Sequence, residues 1–455
     1  MPMIPLKPRS SVRRNRAPPF GEGSAQMFAS YDQFNQSNLY RRSSAEAPLK
    51  TQRRRAGSAP SPGIHLEASM LTQGFARFIH ARRTDLLAIV RQFTPNWFAA
   101  TMGTGILALD LNQLPGLHRP AMALWLLNMA LFALFTLLYA ARWLLYPREA
   151  ARIFGHSVMS MFLGTIPMGL ATIINGFIAF GLAPLGPEAV GIATALWWAD
   201  VALSLVIGIG VPFLMVIRQD HAIERMTAVW LLPVVAAEVA AASGAQIVPH
   251  LGNPHLALLV DILSYALWAY SVPVALGIVA VLLLRLVLHR LPHRDMAPSS
   301  WLTLGPIGTG ALGLLLLGAD AQGALAPLGL PGLADAARGI GLIGGVILWG
   351  YGVWWLAFAV LATLRYLRGG IPFNLGWWGF TFPLGVYAAT TFALAGQTHL
   401  ALFHIAAVAM TASLAALWVI VAAMTLRGAA SRALFAAPCL LRGAIPEDAL
   451  TADMV

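Results

Sequence analysis

GTIPMGLATI, residues 164 to 173, sets a proline among small side chains inside an apolar run. Four other apolar runs carry a proline or glycine break followed by small side chains: ATMGTGI at 100–106, where glycine supplies it, LLPVVAAEVAAASG at 231–244, LGPIGTGALG at 304–313 and FTFPLGVYAATT at 380–391. Met102, Pro167, Pro233, Pro306 and Pro383 mark the series, at spacings of 65, 66, 73 and 77 residues. Proline removes one amide donor and leaves carbonyls without their usual partners, which is tolerable at membrane depth only where protein or a water-filled cavity replaces them. Five breaks in register therefore predict five helices gathered around a lined axis. For any one proline, close packing is the competing explanation, and Pro212 and Pro273 bend helices outside the series.

Around these runs the chain is membrane-like throughout. Of 455 residues 58% are hydrophobic and 11% charged, with a mean hydropathy of +0.69, whereas a soluble domain is about 25% charged. Ten apolar segments are expected, at 95–114, 120–144, 157–180, 188–216, 226–248, 256–287, 300–325, 337–367, 375–396 and 401–425. Each is long enough to cross about 30 Å of hydrocarbon. The marked runs are the odd-numbered segments, so they all cross in one direction and the repeats are parallel. The expectation is an all-α integral membrane protein, ten transmembrane helices as five parallel-repeat helical hairpins around a central pore. Small-residue helices would lie inside, with Trp125, Trp197, Trp198, Trp354 and Trp355 turned towards lipid.

Charge divides the chain further. Residues 1 to 94 hold 15 of the 30 Lys and Arg against five acids. Residues 1–73 read as a disordered basic cytoplasmic tail, 74–93 as a juxtamembrane amphipathic segment, 94–426 as the membrane domain and 427–455 as a second cytoplasmic tail. The tail lacks the apolar core of a secretory signal and suits anionic lipid better than nucleic acid. Thirteen connecting and terminal arginines, from Arg142 to Arg442, fall on the tail's side, and only Arg119 and Arg338 fall opposite. Both termini are expected to be cytoplasmic in a bacterial inner (plasma) membrane. The lone Cys439 excludes a disulfide framework, a thiolate zinc site and an iron–sulfur centre built from this chain.

Taken together, FTPNWFAATMGTGI at 93–106, SMFLGTIPMGLATIINGF at 160–177, the LLPVVAAEVAAASG stretch and GWWGFTFPLGVYAATT at 376–391 resemble the tellurite-resistance/dicarboxylate transporter family. That family includes yeast malate and sulfite transporters and the slow anion channels of plant guard cells. The resemblance spans about residues 90 to 425 and leaves out the basic tail. It implies five hairpins around a pore, conduction of small anions, assembly as a homotrimer, and a pore-plugging phenylalanine in the ninth helix. By motif match that residue is Phe382.

The odd segments carry no Lys or Arg in their middles, so anion preference would have to come from backbone dipoles and N–H groups near the breaks. Gly103, Gly105, Pro167, Pro233, Pro306 and Pro383 are the expected pore-lining breaks. Thr104, Ser160, Thr165, Thr303, Thr381 and Thr390 offer hydroxyls, although such groups usually bond to their own backbone. Glu238, alone at mid-segment with no basic residue near it in sequence, is expected to be a neutral, hydrogen-bonded acid, with proton coupling or gating and a structural role both open. Asp200 reads as a structural hydrogen bonder, and Asp110, Asp261 and Asp320 as water-accessible groups near outer ends. Malate or another dicarboxylate, sulfite, tellurite and inorganic anions all remain open as substrates. An intramembrane enzyme would need paired acids, a dyad or metal ligands at depth. His404 stands alone in its segment and HARRTD at 80–85 has no catalytic domain around it, so no enzyme activity, no metal and no cofactor is expected.

Overall fold

The computed structural model describes residues 86–326, 329–437 and 440. The expectations for the tail 1–73, for most of the 74–93 segment, for HARRTD, for Cys439 and for most of the C-terminal tail lie outside those residues. Among the described residues the chain is all-helical, with no strand. Residues 86–92 are helical, and ten further α-helices of twelve or more residues follow, besides two single turns at Pro147–Ala150 and Leu182–Leu185. They are α1 (Ala99–Asn112), α2 (His118–Leu145), α3 (Thr165–Gly176), α4 (Pro187–Ile217), α5 (Leu232–Ile247), α6 (Pro254–His289), α7 (Leu304–Leu325), α8 (Pro331–Leu367), α9 (Phe382–Thr398) and α10 (Ala401–Ala430). Eight helical segments, counted with their flanking turns, are long and apolar enough to cross a membrane. The other two helices, α1 and α9, have 14 and 17 residues.

Each odd-numbered helix is entered through a 3-10 turn: Pro95–Phe98, Met159–Gly164, Ala228–Leu231, Arg294–Trp301 and Leu375–Phe380. The markers read from the sequence as breaks fall in the first turns of the α-helices that follow. Pro233 and Pro383 are second residues, and Pro167 and Pro306 third residues, of their helices. A missing amide is harmless there, because the first-turn N–H groups have no intrahelical acceptor. The prolines thus start helices, and the irregularity is the 3-10 turn ahead of them.

Packing separates two layers. α1 packs on α3, α3 on α5, α5 on α7, α7 on α9 and α9 on α1, which closes a cycle. Every even helix covers one seam of that cycle: α2 over α1/α3, α4 over α3/α5, α6 over α5/α7, α8 over α7/α9 and α10 over α9/α1. Glycines permit the approach. A side chain on Gly103 would strike Thr381 and Trp378, one on Gly105 would strike Thr172 and Asn128, and one on Gly164 would strike the backbone of Leu232 and Pro233.

Two sets of hydrogen bonds tie the hairpins. Within each hairpin, the end of the outer helix or the residue after it meets the chain entering the inner one. Arg142 donates to the Phe93 carbonyl, Gln219 to Phe154 O at 2.9 Å, Arg285 to the Glu224 carbonyl and Tyr366 to Pro292 O at 2.7 Å. In the fifth hairpin the direction reverses, with Trp378 Nε1 donating to Thr425 Oγ1 at 3.1 Å. Arg91 grips Glu149 with two bonds of 2.6 and 2.7 Å, and that bond holds the Glu149 carboxyl below its ordinary value; at this exposed position the pair adds little stability.

Between hairpins, one tryptophan on each outer helix donates its indole N–H to the next inner helix. Trp125 reaches Ile173 O (3.3 Å), Trp197 reaches Ala240 O (2.8 Å) and Trp268 reaches Gly310 O (2.8 Å). Trp349 reaches Thr391 Oγ1 (2.9 Å) and Trp418 reaches Thr104 Oγ1 (3.0 Å), closing the circle. This corrects the expectation that the tryptophans face lipid. Trp125, Trp197 and Trp355 are buried, and only Trp198 and Trp354 of that group are exposed. An indole carries one donor that hydrocarbon cannot satisfy, so a tryptophan at depth turns inward when an acceptor is within reach. Asp110 and Asp261 are also buried rather than open to water, and neither carboxyl has a hydrogen-bond partner, because neighbouring helices cover them.

Two outcomes follow from these ties. Trp197→Phe should cost about 0.5–1.5 kcal/mol through the lost indole bond, since the Ala240 carbonyl keeps its place in the helix, read as a lower thermal midpoint in detergent; an unchanged midpoint would show that the bond does not hold the seam. His221 sits edge-on to Trp230 at 5.0 Å, with Nε2 3.0 Å from Gln219 Oε1. Burial first, then Arg225, holds its imidazole below the ordinary value, and Asp220 partly opposes them. The unfolded chain takes up that proton near pH 6.5 and the folded one only lower, so this contribution is complete above that pH and lost as pH falls. Thermal midpoints should drop between about pH 7.5 and pH 5.5, either side of the free histidine value, and His221→Gln should remove part of the drop. Parallel profiles for the two proteins would take His221 out of the account.

Candidate anion pathway

The inner faces of the cycle can be located by elimination on α7 and α9, at 3.6 residues per turn. On α7, a Cβ at Gly308 would lie 3.1 Å from the Tyr387 backbone of α9, one at Gly310 would lie 3.2 Å from Val272 of α6 and one at Gly313 would lie 3.0 Å from Trp268 of α6. Gly318 abuts Ala337 and Gly341 of α8. The face left over carries Gly305, Thr309, Leu312 and Leu316. Gly305 is buried, yet no atom lies within 4 Å of the place its side chain would take. Among the described residues it is the only buried glycine beside open space. Thr309, one turn on, is buried with a hydroxyl that bonds to nothing.

The same reasoning applies to α9. A Cβ at Gly385 would strike Ile106 of α1, and Thr390 donates to Gly308 O of α7 at 2.7 Å. Tyr387 donates to Trp349 O of α8 at 2.6 Å. Phe382, Ala389 and Ala393 occupy the face between α1 and α7. Phe382 is 3% exposed, whereas Ala389 and Ala393, two and three turns further on, are partly open.

The hydroxyls proposed from the sequence are engaged elsewhere. Thr104, Thr165, Thr303, Thr381 and Thr390 all donate to main-chain carbonyls, and Ser160 accepts from Gln219. Gly103, Gly105 and Pro233 stand at contacts between helices. Glu238 is fully buried on the α6 side of α5. Its Oε2 lies 3.2 Å from Ser271 Oγ, which is 2.8 Å from Val234 O, and its Oε1 has no partner. Serine has one proton, so it can serve the Val234 carbonyl and still accept from a protonated Glu238. Asp200 is buried with no partner for either oxygen. Sequence reasoning passed over Gly305 and Thr309. Their four-residue spacing was visible in LGPIGTG, but only the contacts of Gly308 and Gly310 fix which way that face turns.

No lysine or arginine lies in any of the five inner helices, and among the described residues no three metal-ligating side chains come together. The faces left over on α7 and α9 therefore present backbone dipole, the unpartnered Thr309 hydroxyl and apolar wall.

Comparison with known proteins identifies relatives that are transporters. The chain is 38% identical over 363 residues to a sulfite efflux pump of Arthroderma otae, covering 78% of this chain and 96% of that protein. It is 31% identical to an uncharacterised transporter of Methanocaldococcus jannaschii, over 67% of this chain and 84% of the other. It is 23% identical to a malic acid transport protein of Schizosaccharomyces pombe, over 67% and 71% of the two chains. Residues 92–426, most of the chain, match the family described as voltage-dependent anion channel. The chain belongs to the voltage-dependent anion channel family.

Proposed function

We propose that this anion-transport protein carries its substrate along the axis of the inner ring, with ten spans as five hairpins and the passage closed at Phe382. The observation that carries the reading is the run of faces left over on α7 and α9. It passes from a buried phenylalanine to partly open alanines, beside a glycine next to empty space. An apolar ring at a constriction blocks sterically and leaves too little room for a hydrated anion. Beyond it, Thr309 is the one free hydroxyl among the residues assigned to the path. Sulfite is the first substrate to test, because the relative at 38% identity is named a sulfite efflux pump; malate comes second. The reading includes cytoplasmic termini, from the arginine asymmetry, and a trimeric assembly in a bacterial plasma membrane.

Reconstituted liposomes with sulfite, malate, chloride and nitrate gradients test the reading. Phe382→Ala should raise anion flux at least tenfold with little change in thermal midpoint, and Gly305→Val should lower flux while the protein stays folded. If Phe382 merely packs between helices, its removal should cost about 3–5 kcal/mol without added flux, and that result would sink the gate.

A second reading rests on the lone acid. Glu238 beside Ser271 is placed to exchange a proton within a helix seam, which would make the protein a proton-coupled carrier. Glu238→Gln should then flatten the dependence of flux on pH with folding intact. Unchanged flux at every pH would leave Glu238 a structural group.

A further inference from the structure

We propose that the groove between α6 and α8 is a binding site for an acidic phospholipid. The groove has a volume of about 400 Å³ and is walled by Leu283 and Val287 of α6 and Phe358 and Leu361 of α8, with Arg290 and Arg365 at one end. Val287 and Leu361 are exposed on the outer surface, so the groove opens sideways, where lipid would lie. Helices of 36 and 37 residues exceed a hydrocarbon core of about 30 Å, so their ends reach the headgroup layer. Arg365 lies in the last turn of α8, and Arg290 directly follows α6. Arg290 has a positive φ of 61°, and its carbonyl accepts from Arg285 Nη1 at 2.7 Å, which holds it at the mouth. Neither guanidinium has a carboxylate partner among the described residues.

Two unneutralised guanidinia above an apolar trough match a phosphate carrying an acyl chain. A zwitterionic headgroup would bring its own cation to the same place and lose much of the attraction, whereas an acidic headgroup keeps it. Guanidinium forks suit phosphate oxygens in geometry as well as charge.

The test is native mass spectrometry and thermal unfolding of the purified chain, titrated with phosphatidylglycerol or phosphatidylcholine of matched chains. Phosphatidylglycerol should form the tighter adduct and raise the midpoint more. Arg290→Gln with Arg365→Gln should weaken that adduct by about thirtyfold, and Arg148→Gln with Arg427→Gln, equally exposed, should not. Val287→Trp, which fills the trough and keeps both arginines, should also lose the lipid. Equal binding of the two lipids, retention of the preference in the Arg290/Arg365 variant, or equal stabilisation by inorganic phosphate at the lipid's concentration would each overturn the proposal. A change in subunit number without loss of the lipid adduct would assign the groove to a second copy of the chain instead.

Discussion

An indole N–H donated across a seam is the interaction on which the arrangement turns. A membrane helix gains little from burying apolar side chains against another helix, since lipid is equally apolar, so specificity has to come from close packing and polar contacts. Trp125, Trp197, Trp268, Trp349 and Trp418 supply one such contact at each of the five seams. Each joins a hairpin to its successor, and the last returns to the first. The ties from Arg142, Gln219, Arg285 and Tyr366, with Trp378 in the fifth hairpin, act in the other direction and hold each hairpin to itself. Ring closure is thus the joint result of five bonds between units and five within them.

Closure explains how small residues and charge are distributed. Helices that touch two neighbours and are covered by outer helices have little room for Cβ atoms, and Gly103, Gly105, Gly164, Gly308 and Gly385 stand at those approaches. Buried arginines appear at one end only. Arg142 and Arg285 are almost inaccessible, and both spend their donors on main-chain carbonyls. A guanidinium with several fixed donors can satisfy the loose carbonyls of a turn that no helix completes.

Much of this was legible in the residues. The ten apolar runs lie within a few positions of the helices, and the marker series found the five inner ones. The physical meaning of the prolines was less accessible, because a first-turn proline and a mid-helix proline look alike until the start of the helix is known; the 3-10 entries moved those starts inward. The tryptophans were misread for a related reason. Amphipathic indoles do gather at lipid interfaces, and nothing in the sequence around Trp197 names Ala240 as its acceptor. Their spacings of 72, 71, 81 and 69 residues nevertheless follow the hairpin repeat and offered a signal as strong as the prolines. Hydroxyl roles at Thr104 or Thr390 depended on rotamer, which sequence does not carry.

The double tie has a mechanical consequence. Since each hairpin is fastened at its open end and each seam is pinned at depth, a single inner helix cannot slide or rotate alone without breaking a bond in a medium that offers no replacement. A rearrangement of the inner cycle must instead tilt whole hairpins about their pinned seams, in the manner of the blades of an iris diaphragm. In such a device a local push at one blade is shared by all five.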